Sequence, residues 1–198
     1  MSQVADFDQM NNPYRSTGTL GLMADDSEIQ EDELRAFVGP KADYYLRKWA
    51  ARLDDPSGEV GMNWVAFFLP AFWLGYRKMY VATLIYFGAV VLLSILEQVV
   101  FVVILGGATV PTAVGLIVNL MTAVVCGLCG NAWYLSHTRR AIHAAHARGL
   151  EGDHLVYDLS RRGGTSLLAS FGLVFLGSVV IFVLIIFLAV LGAILQAS

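Results

Sequence analysis

Apolar positions form three long runs, at residues 79–105, 113–135 and 165–195, and no Lys or Arg falls inside any of them. Each run exceeds the roughly 18 to 20 residues that a helix needs to cross a bilayer. A helix suits that environment because it satisfies its own backbone hydrogen bonds where water is absent. We therefore predict an all-α integral membrane protein with three transmembrane helices.

A shorter pattern at residues 41–53 predicts an amphipathic helix before the first run. Tyr45 and Trp49 fall on one face at helical spacing, and Arg47, Lys48 and Arg52 lie off that face. Such a helix suits the headgroup region of the inner leaflet, where apolar side chains enter the lipid and basic ones meet phosphate. The alternative is a packed cytoplasmic helix, and the sequence leaves both open.

Residues 62–75 form an apolar segment that is too short to span. Fourteen residues make about 21 Å of helix, against a hydrocarbon core of about 30 Å. Pro70 interrupts the segment, and basic residues stand on both sides of it. We predict an interfacial element, either lying on the surface or re-entrant.

The distribution of basic residues predicts the topology. Eight of the thirteen Lys and Arg residues precede the first run, and the other five lie between the second and third runs. Because positive residues stay on the cytoplasmic side, we expect the N-terminus and the loop that includes 147–164 to be cytoplasmic. The C-terminus is then extracytoplasmic. A net charge of −3 gives no indication of nucleic-acid binding.

Residues 1–36 predict an acidic cytoplasmic tail that is largely disordered when alone. The first 33 residues carry eight acidic side chains and one basic one, Arg15. Too little apolar area is present to offset the entropy of ordering. The tail either solvates the protein or docks a partner.

Glu97 is the one acidic residue within the three runs, and Asn119 lies at a matching distance beyond the turn that joins the first two runs. An intramembrane carboxylate is costly, so a polar partner at the same depth is expected. The pair is either a proton or cation site or a structural hydrogen bond between helices.

Other polar motifs do not predict a cofactor or a metal. Cys126 and Cys129 have CxxC spacing but no second ligand pair, and His143 and His146 lack a supporting cluster. No convergent nucleophile and base are evident, so we do not expect an enzyme.

Aromatic and basic side chains cluster at the predicted membrane boundary. They are candidate contacts with lipid or with a partner: Tyr45, Trp49, Trp64, Trp73, Arg77, Lys78, Trp133, Arg139 and Arg140.

Four segments give the chain a family resemblance. FVGPKADYYLRKW at 37–49, NWVAFFLPAFW at 63–73, YRKMY at 76–80 and NAWYLSHTRR at 131–140 resemble the bacterial membrane family DUF2628, over about residues 37–146. The resemblance implies a bacterial membrane protein and supplies no catalytic residue. We expect a non-enzymatic inner-membrane protein, an accessory or scaffolding subunit that binds other membrane proteins or lipids. The alternative is a small transporter or channel component that uses Glu97.

Overall fold

The structure is a computed structural model that describes residues 29–107 and 109–197; the side chains of 188, 189 and 191–197 are left out of the description. The tail predicted at 1–36 therefore lies mostly outside the described residues. The chain divides into two units, and Glu31–Ser198 is the one that holds the described helices. All regular structure in the described part is helical.

In the described part of this unit eight α-helices follow one another, and the fifth continues without a break as a π-helix. Their bounds are α1 Glu31–Val38, α2 Ala42–Asp54, α3 Trp64–Phe68, α4 Pro70–Tyr76, α5 Tyr80–Gln98 with the π-helix Val99–Ile104, α6 Thr112–His146, α7 Gly152–Arg162 and α8 Leu167–Ala197.

Three helices are long and apolar enough to cross a membrane. They are Tyr80–Ile104, Thr112–His146 and, over the residues searched, Leu167–Phe187. The prediction of three helices with the length and apolar composition to span a membrane is thus confirmed for the residues searched. The second is longer than expected, because α6 continues past residue 135 as a regular helix to His146.

The part of α6 beyond the apolar run organises a small helical layer, which we call the cap: α1, α2, α7 and the end of α6. Phe37 of α1, Ile142 of α6 and Leu159 of α7 are buried together in its core. The backbone N–H of Gly164 donates to the carbonyl oxygen of Phe37 at 2.7 Å, which ties the end of α7 to α1.

The predicted segment 62–75 is a kinked pair of short helices. Asn63 caps α3 by accepting a hydrogen bond from the backbone N–H of Ala66 at 3.0 Å. Pro70 is the first residue of α4, where its missing N–H costs nothing. The pair lies on α6 where two glycines allow close approach: a Cβ at Gly130 would lie 3.0 Å from the Ala66 Cβ.

The helix predicted at 41–53 forms as α2, and its aromatic face turns inward. Tyr45 is 4% exposed and Trp49 is fully buried. This face packs on α6 instead of meeting lipid, so the surface-lying alternative is not supported.

The last helix, α8, is attached to α4 near its start. The Ser170 hydroxyl donates to the carbonyl oxygen of Phe72 at 2.7 Å. Further along, the Phe87 ring of α5 lies directly against Gly177. Apart from these contacts, α8 exposes large apolar side chains, including Phe175 and Phe182. This exposure is expected of a helix surrounded by lipid.

Candidate functional site: the joint between the membrane helices and the cap

Asn131 is the centre of a buried hydrogen-bond network that joins α2, α3 and α6. Its side-chain amide donates to the carbonyl oxygens of Gly61 at 3.0 Å and Val60 at 3.3 Å. Its side-chain oxygen accepts from the Asn63 amide at 2.9 Å. Its backbone oxygen accepts from the indole N–H of Trp49 at 3.0 Å. Because the residue is fully buried, each of these bonds offsets a desolvation cost.

Arg77 lies beside this network inside an aromatic cage. Its guanidinium carbon is 4.4 Å from the centre of the Tyr45 ring and 4.9 Å from that of Tyr134. One guanidinium nitrogen donates to the Tyr134 hydroxyl at 3.4 Å. The Trp73 ring closes the cage at 6.0 Å from Tyr134. We call the cage and the Asn131 network together the joint.

The Arg77 cation is held without an acid. It is 4% exposed, no ion pair with it occurs among the described residues, and its Nε atom has no hydrogen-bond partner there. A desolvated cation–π contact contributes about 2 kcal/mol, so two such contacts offset much of the several kcal/mol that burying the charge costs. The joint is therefore a closed structural centre and does not present a reactive group to solvent.

The structure corrects four of the nine predicted lipid or partner contacts. Tyr45, Trp49, Trp73 and Arg77 are buried inside the joint. They cannot touch lipid or a partner, because helices of the same chain cover them. Sequence position indicates that an aromatic residue lies near a membrane boundary. It does not show whether other helices of the same chain bury that residue.

The other five contacts remain at least partly accessible. Trp64 is 62% exposed and Trp133 is 37% exposed. Lys78 donates to the carbonyl oxygen of Arg161 at 3.2 Å, which links the start of α5 to α7. The Arg140 Nε donates to the Ser136 carbonyl oxygen at 3.1 Å and the rest of its side chain is exposed. Arg139 is half-buried.

Glu97 and Asn119 come together as the sequence indicates, but without the expected hydrogen bond. Both line a cavity of about 30 Å³ with Ser94 and Thr122. The Asn119 amide donates to the Gly115 carbonyl oxygen of its own helix at 2.8 Å. Among the described residues no hydrogen bond joins Glu97 to Asn119. The cavity holds about one water molecule.

The histidines and cysteines do not form a metal-binding group in the described residues. His146 lies 2.9 Å from a carboxylate oxygen of Glu33, inside the cap. Cys126 is buried and Cys129 half-buried, both as free thiols. Within residues 29–107 and 109–197 no three potential metal ligands gather.

Sequence reasoning missed Asn63, Asn131 and Tyr134 as the key residues of the joint. A buried amide whose partners lie 68 and 70 positions away in sequence has no short-range signature. One signal was available: all three lie in the segments that carry the family resemblance. Residues from all four segments meet at this joint, and the bond from Trp49 to Asn131 joins positions 82 apart in sequence.

The fold and the joint define a class: an all-helical protein whose described residues include three helices long and apolar enough to cross a membrane, the second of which continues into a helical cap. The family pattern described as "Protein of unknown function (DUF2628)" matches residues 30–140, more than half of the 198-residue chain. The chain belongs to that family. No curated protein and no solved structure matches it.

Proposed function

We propose that the protein is a non-enzymatic accessory or scaffolding subunit of the bacterial inner membrane, and that the cap is the part it offers to partner proteins. One observation carries the proposal: the residues of the family segments are used to build the joint. Since that joint is closed, its effect is to hold the cap rigidly on α6. A rigid platform suits a protein that binds, whereas catalysis needs an accessible reactive group.

The proposed topology places the N-terminus and the cap in the cytoplasm. Support comes from contacts between the two basic segments of the sequence. Lys78, which precedes α5, reaches the backbone of Arg161 at the end of α7, and α1 is bonded to Gly164, the second residue after α7. Both segments thus lie at one end of α6, as a shared cytoplasmic location requires.

The pair α3–α4 would lie in the cytoplasmic half of the bilayer. The pair contacts α6 at Gly127, against Phe67. Gly127 lies eight residues before the end of the apolar run at 135, a depth of about 12 Å. Half of the hydrocarbon core is about 15 Å. Trp64 and Phe68, both strongly exposed on α3, then face lipid.

The outer side of the cap carries the features of a contact surface. Tyr44 and Leu53 of α2 and Val156 and Tyr157 of α7 are exposed, although the cap lies beyond the apolar runs. Aromatic residues of this kind are enriched where proteins bind each other. The acidic segment that precedes α1 in sequence adds negative charge to the part of the chain that we propose for partner binding.

Purification in a mild detergent tests this proposal. The intact chain should co-purify with a larger assembly, and removal of residues 1–28 should weaken the association. The deletion must stop before α1, because Leu34 and Phe37 are core residues of the cap and their loss would unfold it.

A variant that keeps the length of the tail serves as the control. Replacing the acidic residues of the tail by Asn and Gln removes their charge and keeps the length of the tail. If side chains other than the carboxylates contribute, this variant should weaken the association less than the deletion does. Recovery of the intact chain as a lone monomer would contradict the proposal.

A second candidate function is a transporter or channel component that uses Glu97. The shared polar cavity with Asn119 favours it, and so does the π-helix that begins two residues after Glu97, since π-helical turns are frequent at functional sites. Glu97→Gln keeps the shape and removes the charge. Unchanged proton or cation flux in proteoliposomes would exclude this candidate.

A further inference from the structure

An apolar groove of about 690 Å³ runs between α5 and α6. Ala82, Ala89 and Leu93 line it from α5, and Val118, Val125 and Cys126 line it from α6. The alanines are too short to fill the space between the two helices. Its volume lies within the range of about 300–1,000 Å³ that is usual for ligand sites.

The groove is long in the direction of the helices. Its wall on α5 extends from Met79 to Leu93, about 21 Å of helix, and its wall on α6 from Val118 to Arg140, about 33 Å. Half of the bilayer's hydrocarbon core is about 15 Å. The groove therefore reaches from the cap-side surface to beyond the midplane, so an acyl chain of the cap-side leaflet fits along it.

Polar groups gather at one end of the groove, the end nearest the cap. Trp133, Ser136 and Arg140 line it there, on one face of α6. Arg140 is the one charged side chain among the lining residues, and no acidic side chain lines the groove with it. Its Nε is bonded to Ser136, while its other N–H groups have no partner among the described residues. This end lies at the depth where α6 leaves its apolar run, which is headgroup depth.

We infer that the groove binds an anionic phospholipid of the cap-side leaflet, with one acyl chain between α5 and α6 and the phosphate at Arg140. The charge at the cap-side end of the groove indicates the type of headgroup. Because no acidic side chain lines the groove beside the Arg140 guanidinium, a lipid with a net negative charge should bind there best. Indole rings such as that of Trp133 also prefer headgroup depth.

A single acyl chain is thin enough to lie along the groove, and its phosphate would meet the Arg140 guanidinium at the cap-side end. The lipid site is separate from the partner surface proposed on the cap, so its test does not depend on that surface.

Native mass spectrometry of the full-length protein, delipidated in detergent and titrated with phosphatidylglycerol or phosphatidylcholine, tests the inference. Wild type should bind phosphatidylglycerol more tightly than phosphatidylcholine. Arg140→Gln should weaken phosphatidylglycerol binding about fivefold and reduce the preference. Ala89→Phe fills the groove and should weaken both lipids. Arg47→Gln, on an exposed arginine of α2 outside the groove, should change neither.

A thermal melt of each variant establishes that it is folded before it is titrated. Wild-type-like binding by either folded variant, Arg140→Gln or Ala89→Phe, would overturn the inference, as would equal affinity of the wild type for the two lipids. If Ala89→Phe does not fold, Ala82→Leu fills the same wall with a smaller side chain and takes its place.

Discussion

The indole N–H of Trp49 donates to the backbone carbonyl oxygen of Asn131 at 3.0 Å, across 82 residues of sequence. Both residues are fully buried. This bond fixes α2 of the cap against α6 at the level where α6 also carries α3. The orientation of the cap relative to the spanning helices thus depends on a few buried polar groups.

Trp49→Phe should lower stability because it removes this bond while keeping an aromatic ring. We expect a loss of about 1 kcal/mol from the hydrogen bond, increased by the smaller ring. The thermal unfolding midpoint in detergent measures it. Trp64→Phe is the matched control: Trp64 is 62% exposed, so its midpoint should stay near wild type. Equal shifts in the two variants would contradict the role given to Trp49.

Asn131→Ala should destabilise the protein more than Trp49→Phe. It leaves the Asn63 amide and the Val60 carbonyl without partners, and each buried unsatisfied group costs about 1–3 kcal/mol. Asn119→Ala provides the comparison, since Asn119 is an exposed residue of the same helix that bonds only within α6. Denaturant or thermal unfolding of both variants should rank them clearly. A larger loss for Asn119→Ala would be inconsistent with the joint.

Arg77→Lys should be less stable than Arg77→Met, although Lys preserves the charge. A lysine ammonium is more strongly hydrated and cannot stack its plane on Tyr45 and Tyr134. It therefore keeps the burial cost and loses much of the compensation. Met removes the charge and fills similar space, and apolar replacement of a buried ion is often tolerated. Comparative melting curves test the order, and a more stable Arg77→Lys would contradict the cage.

Gly163→Ala should destabilise the contact between α1 and α7. A Cβ at Gly163 would collide with the carbonyl oxygen of Phe37, which is backbone and cannot move aside alone. Gly88→Ala is the control, because Gly88 is helical and nothing lies within 4 Å of its added Cβ. We expect Gly88→Ala to be neutral or slightly stabilising. Limited proteolysis of the cap distinguishes the two variants, and equal resistance would contradict the packing of α1 on α7.

The Asp158 carboxylate should give the cap a dependence on acid pH. The hydrogen bond from Arg148 at 2.6 Å lowers the pKa of Asp158 below its ordinary value of 3.8, and Arg162 at 3.0 Å lowers it further. A depressed folded-state pKa means stability that is present above the ordinary pKa and lost as pH falls through the folded one. The midpoint difference between wild type and Asp158→Asn should therefore be present at neutral pH, begin to fall near the ordinary pKa of about 4, and vanish only below the lowered folded-state pKa. A difference that grows on acidification would contradict this sign.

The sequence predicted the spanning helices well because bilayer thickness imposes a long apolar run that composition alone reveals. The kinked segment at 62–75 was also visible, since Pro70 and the short length both limit a helix. Such features depend on local composition. The extension of α6 to His146 was harder to predict, because the helix continues with polar residues after the apolar run ends at 135.

The joint could not be predicted in the same way. Tyr45 and Arg77 meet because α2, α4 and α6 converge, and sequence spacing carries no signal for that convergence. Glu97 and Asn119 show a second limit of prediction from sequence. The rise per residue of a helix predicts that they lie at the same depth, but it does not predict where the Asn119 amide points. That direction is set by a local bond to Gly115.

The account depends most directly on α6 carrying the cap into the cytoplasm while the chain ends on the other side. Paired reporter fusions measure this, one inserted at Gly149 between α6 and α7 and one after Ser198. The account predicts a cytoplasmic reporter at Gly149 and an extracytoplasmic one after Ser198. Both reporters on the same side of the membrane would contradict it.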